Sequence, residues 1–300
     1  MVTTAVPRDR EKVAERLLLA SARHSYDPVT AIDWDAPLLP GVPAAPLERT
    51  SLYGTELWKT LTPDQQATLS CHEFASIASV GLWFEIILMQ ALLRYAYDQN
   101  PYRPHTQYAL TEIGDETRHS IMFARAADKL TGGVRYRPTK LVHQLGRVFK
   151  STAAGPSMFA SVLVAEETLD RMQREIMNDE TVQPLSRMVS RIHVTEEARH
   201  VRYAREAVSR QMPRLSKKEL AWHRSLTAVT SWFVVDNIID PAVYSSVGLD
   251  SKYAAAVARD NPHHRENRIW MAEKVTAFLT EAGVIAGPSR AIWRQASLIA

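Results

Sequence analysis

Apolar residues recur at intervals of three and four along most of the chain, a spacing that predicts amphipathic helices. Proline and N-capping residues stand at the starts of these segments, and glycine or proline follows their ends. No segment alternates apolar and polar residues convincingly, as a β-strand would. The pattern therefore predicts an all-α protein. Helices are expected at residues 8–24, about 62–98, 105–132, 139–149, 156–178, 184–212, from 216 to a break at Pro241, and 262–281.

Four of the predicted helices lie together in the middle of the chain, at about residues 62–212. A long connection separates the second from the third, and a ferritin-like four-helix bundle needs one long crossover of this kind. We therefore predict a single domain, residues 1–300, with a ferritin-like bundle core, an N-terminal arm at 1–61 and additional C-terminal helices at 213–300. Prolines crowd the arm between residues 28 and 46, so it should wrap the surface.

One segment of the first bundle helix resembles a membrane span in composition. Residues 74–93 contain a single formally charged residue, Glu85, and twenty apolar residues suffice to cross a bilayer. An ionisable side chain near the centre of a lone span would be costly. We therefore expect a helix buried on all sides in a large bundle, and no membrane contact.

Composition narrows the class of protein further. The formal net charge of +3 over 300 residues is too small to indicate a nucleic-acid-binding surface. The single cysteine excludes an internal disulfide framework and is typical of a reducing compartment. Charges interrupt the apolar residues of the first twenty positions, so these do not read as a signal peptide. We expect a cytoplasmic protein.

A five-residue pattern occurs twice in the bundle region. Residues 115–119 read Asp-Glu-Thr-Arg-His and residues 196–200 read Glu-Glu-Ala-Arg-His, each on a predicted helix. A glutamate and a histidine three residues apart project from one helical face and can offer a carboxylate oxygen and an imidazole nitrogen to one metal ion. Either motif alone is usually a solvated helix face. The two pairs are Glu116 with His119 and Glu197 with His200.

A pair of metal ions needs bridging carboxylates from the two remaining bundle helices. The first helix offers only Glu85, which has apolar helical neighbours. The third offers Glu166 and Glu167; Glu166 lies in the apolar stripe, whereas Glu167 is expected to face outward. His193, one turn before the second Glu-x-x-His pair, could be a further ligand or a core histidine bonded to one.

Four buried carboxylates balance the charge of two ferrous ions, and without metal they would pay a severe desolvation cost. Carboxylate with imidazole suits iron or manganese better than a structural zinc site, which favours thiolates. The residues beside the candidate ligands could orient the histidines or form surface ion pairs, and the sequence leaves both open. These are Asp115, Arg118, Glu196 and Arg199.

The same residues, in this order, resemble the p-aminobenzoate N-oxygenase family of di-iron arylamine oxygenases. The family's third histidine stands four residues before the glutamate of the last bundle helix, where this chain has His193. The resemblance covers about residues 15–212 and includes "DWDAPL" at 33–38, "SLYGTELW" at 51–58, "ASIASVGLWFEIILMQ" at 75–90 and "RIHVTEEARH" at 191–200. It implies that the iron ligands, and through them catalysis, lie at Glu85, Glu116, His119, Glu166, His193, Glu197 and His200.

The resemblance also implies a function: two iron ions activate O2 and an aromatic amine is oxidised toward hydroxylamine, nitroso or nitro products. An external electron donor, a reductase or ferredoxin-type protein, is expected because the chain contains no Gly-x-Gly-x-x-Gly nucleotide motif. Hydroxylation or other C–H oxidation of an organic substrate remains an alternative, because fold and ligands do not choose the substrate. A ferritin-like iron-handling protein and a helical protein with a structural metal are further alternatives, and a homodimer is left open.

Four other features are assigned no chemistry. His72 and Glu73 are expected on the surface of the first bundle helix. His263 and His264 follow a proline at a helix start, where exposure to solvent is the default. The basic segment at 214–224 should be a solvated helix start, or else a docking surface for an acidic electron donor. Cys71 has no partner that would make it catalytic.

Overall fold

The computed structural model describes residues 9–300, and within that range the chain is helical and contains no strand. This confirms the predicted all-α class. The α-helices are α1 Arg10–Arg23, α2 Pro28–Ala31, α3 Glu56–Lys59, α4 Pro63–Tyr97, α5 Pro104–Thr131, α6 Lys140–Thr152, α7 Gly155–Ile176, α8 Pro184–Gln211, α9 Lys217–Asp236, α10 Ser251–Asp260, α11 Pro262–Glu281 and α12 Arg290–Gln295. Short 3-10 turns occupy Leu47–Arg49, Met212–Arg214, Pro241–Val247 and Gly287–Ser289.

Local sequence signals determine where the bundle helices begin and end. Thr62 caps α4 in a reciprocal capping box with Gln65, and a proline occupies the first helical turn. Gly132 ends α5 in the left-handed conformation, which glycine adopts without a steric penalty. Ser216 and Glu219 form a second capping box at the start of α9. These are the boundaries that the sequence predicts.

The four-helix bundle consists of two closely packed pairs, α4 with α5 and α7 with α8. Contacts of α4 with α7 and of α5 with α8 join the pairs, and α6 lies in the crossover against α4. Outside the bundle, α1 covers α5 and α8, while α9 and α11 cover α7. This arrangement is the predicted ferritin-like bundle with additional N- and C-terminal helices.

Two apolar clusters fill the bundle, one toward each end. Along α4, Phe74 and Ala78 belong to one cluster and Leu88 and Leu92 to the other. Glu85 lies between them in the chain, as do the other candidate ligands on their helices. A layer of buried polar side chains therefore separates two apolar cores.

The expectation that α4 is buried on all sides is wrong. Ile86 is 42% exposed and Leu93 is 50% exposed, because α4 lies at the edge of the bundle. Within the described range, α4 is long and apolar enough to cross a membrane by length and composition alone. The core helix of a soluble protein passes the same test. In the bundle, α4 buries its ionisable residue Glu85 against the other helices.

The segments outside the bundle depart from the sequence predictions in three ways. The arm does more than wrap the surface, because Ala44, Leu52 and Trp58 are buried and α2 and α3 form within it. The predicted helix 216–240 ends at Asp236, and α10 and α12 were not expected. The predicted first helix starts at residue 8, which lies outside the described residues; α1 begins at Arg10. The single-domain assignment stays a prediction.

Candidate metal centre

The candidate ligands, which lie far apart in the sequence, come together in one buried layer of the bundle. α4 and α7 contribute one glutamate each, α5 contributes one Glu-x-x-His pair, and α8 contributes the second pair and the extra histidine. None of these side chains is more than 7% exposed. The set is Glu85, Glu116, His119, Glu166, His193, Glu197 and His200.

The two Glu-x-x-His pairs face each other across α5 and α8, and we call these four residues the histidine face. His119 Nδ1 lies 2.9 Å from Glu116 Oε2 and 3.3 Å from Glu197 Oε1. His200 Nδ1 lies 2.9 Å from Glu197 Oε1 and 2.8 Å from Glu116 Oε1. Each glutamate therefore reaches the histidine of its own helix and that of the other. This is the geometry of a pseudo-twofold repeat, with both Nδ1 atoms directed to the centre.

Each histidine of the histidine face is held from outside by an acid of the opposite helix. His119 Nε2 lies 2.8 Å from Glu196 Oε2, and His200 Nε2 lies 3.2 Å from Asp115 Oδ2. An acceptor at Nε2 keeps the proton there and leaves Nδ1 as the donor atom for a metal. Arg199 lies 3.2 Å from the Asp115 carboxylate. The acids that begin each five-residue repeat, Asp115 and Glu196, are thus positioning residues rather than members of surface ion pairs.

The N-terminal arm closes this side of the centre. The backbone N–H of Tyr26 donates to Glu196 Oε1 at 3.0 Å. Arg199 donates to the carbonyl oxygen of His24 at 3.0 Å. The turn that follows α1 is therefore hydrogen-bonded to the residues that orient the histidines. The sequence did not predict this contact, because the partners are about 170 residues apart.

Opposite the histidine face lies what we call the carboxylate face, formed by Glu85, Glu166 and His193. His193 Nε2 lies 3.7 Å from Glu85 Oε1, 3.8 Å from Glu166 Oε2 and 3.6 Å from Glu197 Oε1. On its other side, His193 Nδ1 is hydrogen-bonded to Gln173 Oε1 at 2.8 Å. Gln173 thus fixes the ring so that Nε2 points at the carboxylates, a role that sequence analysis missed.

Unpartnered buried atoms show that this layer fits metal ions. Glu85 Oε2, Glu197 Oε2 and His193 Nε2 are buried and have no hydrogen-bond partner. Each such atom costs about 1–3 kcal/mol unless something else satisfies it. Carboxylate oxygens and imidazole nitrogens are the donor set that iron and manganese accept. Three overlapping groups could hold an ion, with ligand atoms within 4.8 Å of one another: Glu116, His119, Glu197 and His200; Glu85, His119 and His193; Glu166, His193 and Glu197.

The two faces have opposite electrostatics in the metal-free protein. Burial and the neighbouring carboxylates raise the pKa of Glu85 and of Glu166 well above the usual value. Burial also opposes ionisation of Glu197, but His200 and the other histidines outweigh it and hold its pKa well below the usual value. Burial lowers the pKa of His193 to about 4, so this imidazole is neutral and its Nε2 is available as a ligand.

Two cavities border the carboxylate face. A small one of about 40 Å³ is lined by Glu85, Glu166 and His193 together with apolar side chains such as Phe123. A larger one of about 480 Å³ extends from Glu166 between α4, α6, α7 and α9. The two share a wall, which consists of Phe84, Ala165, Glu166 and Val234.

Burial of other acids corrects two sequence predictions. Glu167, expected to face outward, is only 5% exposed and binds Arg205, because α11 covers that side of α7. Glu73, expected on the surface of α4, is buried and accepts a hydrogen bond from the Ser51 hydroxyl at 2.5 Å. Burial raises the pKa of Glu73 to about 7. In both cases, the covering segment lies outside the helix that carries the acid.

The remaining features also find places in the fold. His264, expected to be exposed, is buried at the start of α11. His72, also expected on the surface, is half-buried beside Tyr136. Cys71 is buried, and burial raises its pKa to about 11, which makes a reactive thiolate unfavourable. The basic segment 214–224 is largely exposed around the start of α9, as expected.

A ferritin-like bundle whose centre joins two facing Glu-x-x-His pairs to one glutamate from each of the other two helices defines the class of di-metal carboxylate proteins. Within this class, the chain belongs to the family described as P-aminobenzoate N-oxygenase AurF, whose model matches residues 7–283. The match covers α1 to α11 and therefore includes every candidate ligand. The family resemblance inferred from the sequence is confirmed.

The chain is also similar to mycobacterial proteins. It is 26% identical over 284 residues to the uncharacterized protein Mb0909 of Mycobacterium bovis and to the uncharacterized protein Rv0885 of Mycobacterium tuberculosis. The aligned region covers 91% of this chain and 83% of each relative. The similarity therefore extends through the bundle and most of the flanking helices.

Proposed function

We propose that the protein is a non-haem di-iron oxygenase that uses O2 to oxygenate a small organic substrate, with the nitrogen of an aromatic amine as the site of reaction. The observation that carries the proposal is the set of distances among the two facing Glu-x-x-His pairs. Membership of a family named for an N-oxygenase supports the choice of reaction. We propose the seven-residue set as the ligands.

Iron ions bound by these residues would supply the reductive activation of O2. The chain's own contribution begins with orientation: Glu196 and Asp115 accept from His119 and His200 and so keep both Nδ1 atoms directed inward. Glu116 and Glu197 lie where each can serve both halves of the centre. Gln173 holds His193 in the same way from its own side.

Apolar residues keep bulk water away from the reacting centre. The small cavity beside Glu85 is walled by phenylalanine and aliphatic side chains, and its volume of about 40 Å³ admits only small molecules. Exclusion of water strengthens electrostatic interactions and protects reactive species from side reactions. The large cavity behind it reaches Glu166 and provides space for an organic molecule next to the candidate ligands.

The large cavity favours an oxygenase over a protein that oxidises and stores iron. Iron storage needs no organic pocket, whereas about 480 Å³ lies within the ~300–1,000 Å³ typical of small-molecule sites. Oxidation of a C–H bond remains the second candidate, since the same cavity would hold a substrate for either reaction. A reductase or ferredoxin-type partner is proposed as the electron source, because the chain has no Gly-x-Gly-x-x-Gly motif.

A single-turnover experiment tests this proposal. The protein is loaded with ferrous iron under anaerobic conditions, then mixed with 18O-labelled O2 and either arylamines or alkyl substrates, and products are read by mass spectrometry. We expect two irons per chain and a labelled hydroxylamine or nitroso product. A labelled alcohol would favour the C–H-oxidising alternative. Iron that oxidises while every substrate stays unchanged would contradict an oxygenase and favour iron handling.

A further inference from the structure

The large cavity beside Glu166 is lined almost entirely by apolar side chains. They come from four helices and include Trp83 and Ile87 of α4, Phe149 of α6, and Leu226 and Phe233 of α9. Among the residues of the described range that line the cavity, none is a lysine or an arginine. The ionisable ones are Glu166, at the end nearest the candidate ligands, and His223.

Three cations on the surrounding helices are bonded to groups other than the cavity lining or to backbone carbonyls: Arg94, Lys150 and Arg224. Arg94 of α4 donates to the carbonyl oxygens of Lys150 and Ala153. The ammonium of Lys150 is 2.6 Å from Gln90 Oε1, and Arg224 of α9 donates to the carbonyl of Gly283 at 2.7 Å. A carboxylate inside the cavity would therefore lack a cationic partner. Burying an ionised group without a partner is strongly unfavourable.

The polar groups of the cavity suit a neutral ligand. Ser161 is 4% exposed, lines the cavity, and its hydroxyl has no hydrogen-bond partner. At the far end, the Ser157 hydroxyl and His223 Nδ1 are bonded to each other at 2.8 Å. That pair lies about 13 Å along α7 from Glu166, beyond the reach of a single benzoate ring whose amine faces Glu166.

The entrance to the cavity lies between α6 and α9. Leu145 and Val148 of α6 line the cavity and are exposed to solvent. Trp222 of α9 also lines the cavity and is 65% exposed. α6 is seated closely on α4, since a Cβ on Gly146 would lie 2.4 Å from the Trp83 ring. A ligand that enters here passes an apolar rim before it reaches Glu166.

From these observations we propose that the substrate is an uncharged, elongated hydrophobic aromatic amine that carries no carboxylate, and that it binds with its nitrogen toward Glu166 and its apolar body between α6, α7 and α9. This inference rests on the proposed function for the identity of the reacting group. It departs from the compound for which the family is named, because p-aminobenzoate carries a carboxylate that this cavity would leave unpaired.

A matched ligand series tests the proposal by binding alone. p-Aminobenzoate, its methyl ester and its butyl ester share the ring and the amine, and differ in charge and apolar length. Binding is followed by quenching of tryptophan fluorescence, since Trp83 and Trp222 line the cavity, and is checked by equilibrium dialysis. We expect the methyl ester to bind about a hundredfold more tightly than the acid. Each added methylene should tighten binding about fourfold, so the butyl ester should gain about 60-fold.

A positive charge placed in the cavity should reverse the preference for the esters over the acid. Leu226→Arg puts a guanidinium in the wall, and we expect it to bind p-aminobenzoate about tenfold or more tightly than the parent protein does, while weakening the esters. Ser225→Arg is the matched control, because it adds the same charge one residue away at an exposed position outside the cavity, and it should leave the ratio of affinities unchanged. Circular dichroism establishes that both variants keep their helices.

Binding of the acid as tight as that of the methyl ester, or no binding of any ligand, would overturn the proposal. Should Leu226→Arg fail to fold, the ligand series on the parent protein still decides. None of these titrations requires O2 or turnover. A protein that prefers the esters but yields no oxygenated product would therefore retain the substrate inference and contradict the oxygenase.

Discussion

The histidine face and the carboxylate face of the candidate metal centre occupy the same buried layer. They differ in how many of their histidine nitrogens have a hydrogen-bond partner within the protein. On the histidine face, each imidazole is hydrogen-bonded on both nitrogens. On the carboxylate face, His193 Nε2 lies 3.6–3.8 Å from the nearest carboxylates and has no hydrogen-bond partner. Each face also keeps one unpartnered carboxylate oxygen, Glu197 Oε2 on the histidine face and Glu85 Oε2 on the carboxylate face. The electrostatics agree, since the pKa of Glu85 is raised by burial and neighbouring acids whereas the pKa of Glu197 is lowered despite burial.

This difference indicates that the two faces depend on a bound metal to different extents. In the histidine face, the protein itself joins both imidazoles to carboxylates, through the two glutamates and the acids behind the histidines. The carboxylate face lacks the positive charge that would balance it, so a bound cation contributes most there. It is also the face that borders both cavities. The incomplete side of the centre is thus the side open to small molecules.

Removal of one carboxylate, first from one face and then from the other, should produce the largest difference in the free energy of unfolding. Glu197→Gln removes one of the two carboxylates that both buried histidines share, so we expect the free energy of unfolding of the metal-free protein to fall by about 3–5 kcal/mol. Glu85→Gln replaces an acid of raised pKa with a neutral side chain and should leave that free energy unchanged or higher by about 1 kcal/mol. Both variants should lose bound iron. Urea unfolding measures the free energies, and elemental analysis measures bound iron. Equal destabilisation by the two substitutions would contradict the proposed difference between the faces.

Substitution of the third histidine, His193, tests the carboxylate face without changing the histidine face. His193→Ala removes the unpartnered Nε2 but leaves the four residues of the histidine face intact, so we expect iron affinity at one of two positions to fall by at least about tenfold, with loss of oxygenation. Gln173→Leu should have a milder effect in the same direction, because the ring stays but loses its orienting partner. A His193→Ala protein that holds two irons and oxidises amines like the parent would remove His193 from the ligand set.

Substitution of the two acids that accept from the Nε2 atoms of His119 and His200 tests whether the histidine face is twofold symmetric. Glu196→Gln and Asp115→Asn each weaken the acceptor behind one histidine, and we expect metal affinity to fall by about 10- to 100-fold. Asp115→Asn should be the more severe, because Asp115 pairs with two arginines, Arg118 and Arg199, whereas Glu196 pairs with Arg199 alone. Glu206→Gln, which disrupts only an ion pair with Arg210 on the same helix, is the control. An effect in one variant and none in the other would contradict the twofold arrangement.

The pH dependence of stability should distinguish the two faces least, because the titrating groups of both faces act in the same direction. In the metal-free protein, burial opposes protonation of His119 and His200, but the surrounding carboxylates outweigh it and raise both pKa values. A raised pKa stabilises the fold below the unfolded value of 6.5, and this stability is lost as pH rises through the folded value. Glu85 and Glu166 have raised pKa values and act in the same direction.

Metal-free protein should therefore lose stability as pH rises above 6.5, by up to about 1.4 kcal/mol per pH unit for each group that titrates. Bound metal should remove this loss, because the ligands are then deprotonated at neutral pH. Unfolding midpoints measured with and without iron across this range provide the test. A metal-free protein that becomes more stable over the same interval would contradict the assignment.

Helical periodicity explains why so much of the centre could be predicted. Residues three, four and seven positions apart share a face, so Glu116 with His119 and His193 with Glu197 are juxtaposed by local geometry alone. Apolar neighbours identified Glu85 as a buried acid in the same way. Capping residues such as Thr62 marked the helix starts. These features depend on short stretches of chain, which a sequence displays directly.

Contacts between distant segments explain what could not be predicted. Glu167 is buried because α11, about a hundred residues later, covers that side of α7. Glu73 is buried because Ser51 of the arm reaches it. Gln173 and the acids behind the histidines acquire their roles only when α5, α7 and α8 are placed side by side. No periodicity within one helix reveals such a partner.

The hydrogen bond from Tyr26 to Glu196 also has a consequence for the order in which the protein is assembled. The two residues are separated by 170 positions, so the arm leaves the ribosome long before its partner on α8 exists. At about 5–20 residues per second, the wait is roughly 10 to 35 seconds. During that interval α1 has only part of its final packing surface. The last hydrogen bonds around the histidines must therefore form after most of the chain has been synthesised, even though one of their donors is among its earliest residues.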